Sequence, residues 1–176
     1  MTDAFCREGM HRAARSLRQA YGYGNDIKAR EDMALASLLG GLALANSGLG
    51  AVHGIASVVG GMFPAPHGAV CARLLPHVME INVRALQERQ PGNEALRRYD
   101  EVARILTGND QAKAAGGVAW VQELCEALQI PPLASYGMIS ADLPTVVEKS
   151  AVASSTKANP IQLNSDEMRE ILAKAM

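Results

Sequence analysis

The sequence predicts an all-α fold, irregular rather than coiled-coil, and three observations carry that reading. Aromatic residues are only 4% of the chain while hydrophobic residues are 48%. The apolar bulk is therefore Ala, Leu, Val and Met, which suits close-packed helices better than a β-sandwich. Apolar residues recur at helical spacing from the start of the chain onward. No stretch reads persuasively as a strand, and no segment repeats. At 176 residues the chain is long enough for one domain with a real core and too short for two ordinary ones. Residues 1–176 are thus expected to form a single helical domain.

The elements follow in order. Thr2 is the expected cap of a first helix that carries Asp3 in its first turn and runs to about Tyr21. Phe5, Met10, Ala13, Ala14, Leu17 and Tyr21 form its apolar side. Tyr21-Gly22-Tyr23-Gly24-Asn25 stops it, and Asp26 caps a second helix through Ser47. The uncharged second half of that helix is expected to enter the core, as helices apolar all round do. A third helix starts after Gly48-Leu49-Gly50 and ends at Gly60-Gly61. Met62 to Pro66 is a tight connection, because two prolines fix φ and remove donors.

His67 opens a fourth helix, in which Pro76 should bend the axis or mark a local break. Gln90-Pro91-Gly92-Asn93 is a surface turn. Amphipathic helices follow over about Asn93–Leu106 and Asp110–Leu128. Pro131-Pro132 begins a loop through Met138. Asp142 with Pro144 starts a short helix to about Ser154. Asn164 or Ser165, with Asp166 and Glu167, caps the last helix.

The totals exclude several classes. A formal net charge of −1 gives no electrostatic case for nucleic acid or an anionic membrane. Cys6, Cys71 and Cys125 are widely spaced and form neither a CxxC pair nor a disulfide framework. They read as buried small hydrophobes in a reducing cytoplasm. The N-terminus alternates charge with apolar residues and is not a signal peptide. Ser37 to Phe63 lacks Asp, Glu, Lys and Arg and is long enough to cross a bilayer. Its many glycines, with Asn46 and His53 mid-span, favour helices packed inside a protein over a membrane hairpin.

The chemistry concentrates between Gly48 and His77, which holds three of the four histidines and a single formal charge, Arg73. His53 and His67 stand fourteen positions apart on either side of a Gly-Gly…Pro-x-Pro break. Two neutral imidazoles meeting at a corner suit iron(II), zinc or a similar borderline metal, yet two protein ligands make an incomplete site. On spacing alone the alternative stays open that they are hydrogen-bonded core residues, the class to which His11 and His77 are assigned. Gly48-x-Gly50 is preceded by a helix and fails the context of a dinucleotide fingerprint. Ser47 and Ser57 lack the strand-turn-helix elbow of a serine hydrolase.

The run from Gly41 to Asn82 resembles the signature of iron-containing (group III) alcohol dehydrogenases, related in fold to dehydroquinate synthase. Asn46, His53, Gly60, Gly61, Pro66, His67, Gly68, Leu74, Leu75, Pro76 and His77 match that pattern as they stand. The stretch from Leu133 to Leu172 resembles the family's ending, so the resemblance covers nearly the whole chain. It implies that the chain is the family's C-terminal helical domain and that His53 and His67 are two of four metal ligands. The other two, an aspartate and a histidine, are implied on a helix before the region resembling Thr2-Asp3-Ala4-Phe5. They are expected to be missing, together with the N-terminal α/β domain that binds the nucleotide. Ser57 stands where many members carry a histidine facing the nicotinamide, which implies either another proton path or a substrate other than simple primary alcohols.

The resemblance further implies hydride transfer between NAD or NADP and a small alcohol or carbonyl substrate in the full enzyme, assisted by iron(II) or zinc. No catalytic residue is assigned to this chain, which is expected to have little or no dehydrogenase activity alone. The alternative is a non-catalytic remnant that serves as an interaction module. Its expected partner is a second copy of the chain, or the missing N-terminal domain in trans.

Overall fold

The computed structural model describes all residues from Met1 to Met176 and contains eight α-helices and no strand. The helices are α1 (Thr2–Gly22), α2 (Ile27–Ser47), α3 (Ala51–Met62), α4 (His67–Arg89), α5 (Glu94–Thr107), α6 (Ala114–Ala127), α7 (Leu143–Val152) and α8 (Ser165–Ala175). Single 3-10 turns occupy Leu133–Tyr136, Ser140–Asp142 and Ser154–Ala158. The chain divides into two compact units, one of Met1–Gly48 with Arg97–Leu128 and one of Leu49–Leu96 with Gln129–Met176.

In the first unit α1 and α2 form an antiparallel hairpin. Asp26 accepts a hydrogen bond from the Ala29 N–H at 3.1 Å and caps α2 as the sequence predicts. Asp32 accepts from Arg12 at 2.7 Å, Arg15 at 2.6 Å and the Ser16 hydroxyl at 2.6 Å, clamping the two helices. These donors hold its carboxyl well below the usual carboxylate range, Arg15 contributing most. Arg7 pairs with Glu101 at 2.5 Å and Arg98 with Asp3 at 2.6 Å, tying α1 to α5. Gly117 of α6 packs directly on Ala103 of α5, where a Cβ would come within 3.0 Å.

Three expectations about this unit need correction. Thr2 is the first helical residue and not a cap; the Met1 carbonyl accepts the opening bonds from Ala4 and Phe5. α6 starts at Ala114 rather than near Asp110, because Asp100 on α5 accepts the Ala114 N–H at 2.9 Å and starts the helix from outside. The second half of α2 is not core. Only Ala29 and Ala43 of the helix are buried, while Leu35, Leu38, Leu42 and Leu44 are exposed. The helix lies on α1, with Gly9 letting Ala36 and Leu39 approach, and its other sides have no comparable neighbour in this unit. Lack of charge alone does not bury a helix; a partner must cover each face.

The second unit carries the main core. The largest fully buried side chains, among them Ile55, Leu74, Ile81, Leu86, Leu133, Met138, Ile171 and Leu172, all belong to it. α4 and α8 run antiparallel along a ladder of polar contacts. Arg73 donates to the Ala175 carbonyl at 3.0 Å, Lys174 to Glu80 at 2.7 Å, Arg84 to Glu170 at 2.6 Å and Arg89 to Glu167 at 2.9 Å. α4 runs unbroken through Pro76, which is buried. Asn164 caps α8 by accepting the Glu167 N–H, and Glu167 returns the bond to Asn164 N. α7 starts with Pro144 in its first turn, while the Asp142 carboxylate bonds Ile139 N instead of capping the helix.

The start of α3 is set by residues distant in sequence. Gly50 precedes it and has no side chain to cap it. Asn159 supplies the acceptor, its Oδ1 taking the Ala51 N–H at 3.1 Å. The same amide exchanges hydrogen bonds with Asn82 of α4, which is 2% exposed, and donates to the Ile161 carbonyl. Gly54, one turn into α3, lies against Thr156, and a Cβ there would collide with the Thr156 hydroxyl. No single helix in the chain is long and apolar enough to cross a membrane.

Candidate metal centre

The site forms where α3 and α4 meet at the proline-bounded corner of the second unit. His53 lies in the first turn of α3, whose placement is fixed by Asn159 at its start and by Thr156 against Gly54 one turn on. α3 ends at Met62, and the chain turns sharply after it, the Ala65 N–H donating to the Phe63 carbonyl at 2.8 Å. Pro66, in extended backbone, occupies the cap position of α4, so His67 is its first helical residue. Proline there is at home, since it has no N–H for the helix to leave unpaired.

The His53 and His67 rings lie with centroids 5.5 Å apart and planes inclined by 50°. One helical turn beyond His67, the Cys71 sulfur stands 3.4 Å from His67 Nε2. One donor atom from each of His53, His67 and Cys71 falls within 4.8 Å of the others. Burial, aided by the neighbouring His67, pushes the His53 imidazole below its ordinary range, which favours the neutral form that binds metals. Burial likewise pushes the Cys71 thiol up. This donor set of two imidazoles and a thiol, converging from two helices, fits a divalent metal of the zinc and iron(II) class and leaves coordination positions for further ligands.

The remaining sequence candidates fall elsewhere. His77 is half-buried and its Nδ1 has no hydrogen-bond partner; burial, with Arg73 nearby, pushes its imidazole down. It is therefore not the fully hydrogen-bonded core residue expected. His11 is exposed and not a core residue either. Ser57 is exposed and donates to the Gly54 carbonyl at 2.9 Å, and Asn46 donates to the Leu42 carbonyl at 2.7 Å, each within its own helix. The cysteines are not uniformly buried: Cys6 is exposed, Cys71 intermediate and only Cys125 buried. Cys71 is the donor that sequence reasoning missed. Its signal was the His-x-x-x-Cys spacing, which puts both side chains on one helix face.

Comparison with known proteins gives a consistent set. The profile of the "Fe-containing alcohol dehydrogenase family, C-terminal" matches residues 1–176. A 1,3-propanediol dehydrogenase of Citrobacter freundii is 34% identical over 99% of this chain and 44% of its own length. Alcohol dehydrogenase 4 of Saccharomyces cerevisiae is 32% identical over 99% of this chain and again 44% of its own length. The chain thus spans less than half the length of these curated relatives. Among solved structures, an alcohol dehydrogenase from Oenococcus oeni superposes with a TM-score of 0.85 at 29% identity, over 99% of this chain and 45% of that one.

Proposed function

Because this chain belongs to the Fe-containing alcohol dehydrogenase family, as its C-terminal helical part, we propose that it is the metal-binding portion of an NAD(P)-dependent oxidoreductase. The reaction proposed for the whole enzyme is interconversion of small alcohols with aldehydes or ketones. His53 and His67 are the proposed ligands, for iron(II) or, in its place, zinc. A metal ion held there supplies Lewis acidity toward a substrate oxygen. The chain's part is to hold the two imidazoles convergent, with burial favouring the neutral form of His53. Asn159 anchors the start of α3, and Pro66 sets the first turn of α4.

Ser57 offers no group that exchanges protons near neutral pH, and its hydroxyl is engaged by its own helix. Proton transfer to or from the substrate therefore falls to another group. With two of the four ligands that the family resemblance implies, and without a nucleotide fold among these helices, the chain by itself is proposed to have little or no hydride-transfer activity.

The observation that carries this reading is the convergence of the two rings at 5.5 Å in a chain matched by the family from end to end. Titrating the metal-free chain with iron(II) under argon, and separately with zinc, tests it by calorimetry and thermal melting. The expected result is saturable binding with a raised Tm, lost in His53→Ala and in His67→Ala. Melting curves indifferent to both metals would overturn the assignment. Mixing the chain with the N-terminal half of a relative and following NAD(P)H absorbance tests the wider activity.

A second reading, self-association of a non-catalytic helical module, draws support from the exposed leucines of α2. The same stripe would serve equally in contact with the remainder of a full-length enzyme.

A further inference from the structure

The geometry points to Cys71 as a third ligand, its thiolate joining His53 and His67 to bind a thiophilic divalent metal, zinc or cobalt(II), within this chain alone. This rests on the metal reading of the histidine pair and adds both a residue and a metal preference to it.

Three features carry the assignment. The first is the separation of donors. Zinc bonds of about 2.0–2.1 Å to nitrogen and about 2.3 Å to sulfur, at the tetrahedral angle, set the two donors about 3.5 Å apart. Cys71 Sγ lies 3.4 Å from His67 Nε2, so the two side chains already span one edge of such a polyhedron. The second is convergence: the third donor, on His53, comes from a different helix and still falls within 4.8 Å of both. A ligand that bridges two helices closes the site, whereas two side chains on one helix would only decorate it.

The third is the stiffness of the frame. α4 is held along its length by the ladder to α8, and α3 is fixed at its start by Asn159, so the donors keep their spacing without the metal. Cys125, buried on α6, and Cys6, exposed on α1, do not belong to this group. On binding, the sulfur–metal bond forms as the thiol proton passes to solvent. Thiolate in the donor set makes the site softer than imidazoles and carboxylates alone and moves its preference toward zinc and cobalt(II).

Cobalt(II) titration of the full chain tests this, because cobalt reports its ligands optically. The expected result is visible d–d bands, together with a near-ultraviolet thiolate-to-cobalt charge-transfer band that grows to one equivalent. Zinc should displace both. The charge-transfer band should vanish in Cys71→Ser and persist in Cys6→Ser. Affinity in Cys71→Ser should fall by at least the ~10- to 100-fold that loss of an outer-shell partner costs. Visible bands without the charge-transfer band in the unmodified chain would overturn the thiolate and leave the histidine pair standing. Cobalt bands absent altogether would overturn the histidine reading and this one with it. The wild-type spectrum decides even if a variant fails to fold.

Discussion

Asn159 does at the residue scale what no side chain beside α3 can do. Its amide oxygen accepts the Ala51 N–H while the rest of the group pairs with Asn82 and the Ile161 carbonyl. Replacing it by alanine removes its two hydrogen bonds with the buried Asn82 amide and takes the acceptor from the first N–H of α3. Asn159→Ala is therefore expected to cost about 1–3 kcal/mol, a fall in Tm of roughly 2–10 °C at this size. It should also weaken metal binding, since His53 rides on the loosened turn; calorimetric melting and zinc titration check both, and unchanged values in each would sink the argument. His53 and His67 were legible in the sequence by type and setting, as imidazoles on either side of a proline corner in an uncharged stretch. Asn159 was not legible, because its acceptor serves a donor 108 positions away. Cys71 does not stand out in the sequence, because a free cysteine among apolar residues is ordinarily inert packing.

At the scale of elements, local chemistry predicted the helices well and their environment poorly. The Asp26 cap, the Pro144 start and the Asn164–Glu167 box are short-range signals, and each boundary they mark lies within two residues of expectation. The start of α6 is not legible, because its starting acceptor, Asp100, sits on another helix. α2 shows the opposite failure. Its apolar second half was legible, but whether a neighbour covers it was not. Leu35, Leu38 and Leu42 share one exposed face at i, i+3 and i+7. Such a stripe favours association, so the isolated chain is expected to sediment as an oligomer. Glutamate at positions 38 and 42 together (Leu38→Glu, Leu42→Glu) should return it to a monomer with unchanged helix content. Sedimentation velocity decides, and a monomeric wild-type chain at tens of micromolar (roughly the range where weak stripes pair) would count against it.

Across the whole molecule, carboxylates with fixed cationic partners give the fold an acid limit. Arg84 and Lys174 hold Glu170 down to about 2 from an ordinary 4.5, and Asp32 in the first unit is depressed further. A depressed carboxylate stabilises the fold fully above its unfolded value, and that contribution is lost as pH falls toward the folded one. Stability is thus expected to be level near neutrality and to fall from about 4.5 toward 2. Melting curves across that window should show a shallower decline for Glu170→Gln than for wild type; parallel declines would rule out its role. The remote capping of α3 has a last consequence, for biosynthesis. The ribosome releases Ala51 well before residue 159 exists, so the corner bearing both imidazoles has no finished frame while most of the chain is being made. Metal loading is then an event of the completed polypeptide, and nascent chains arrested before that asparagine should leave zinc in solution.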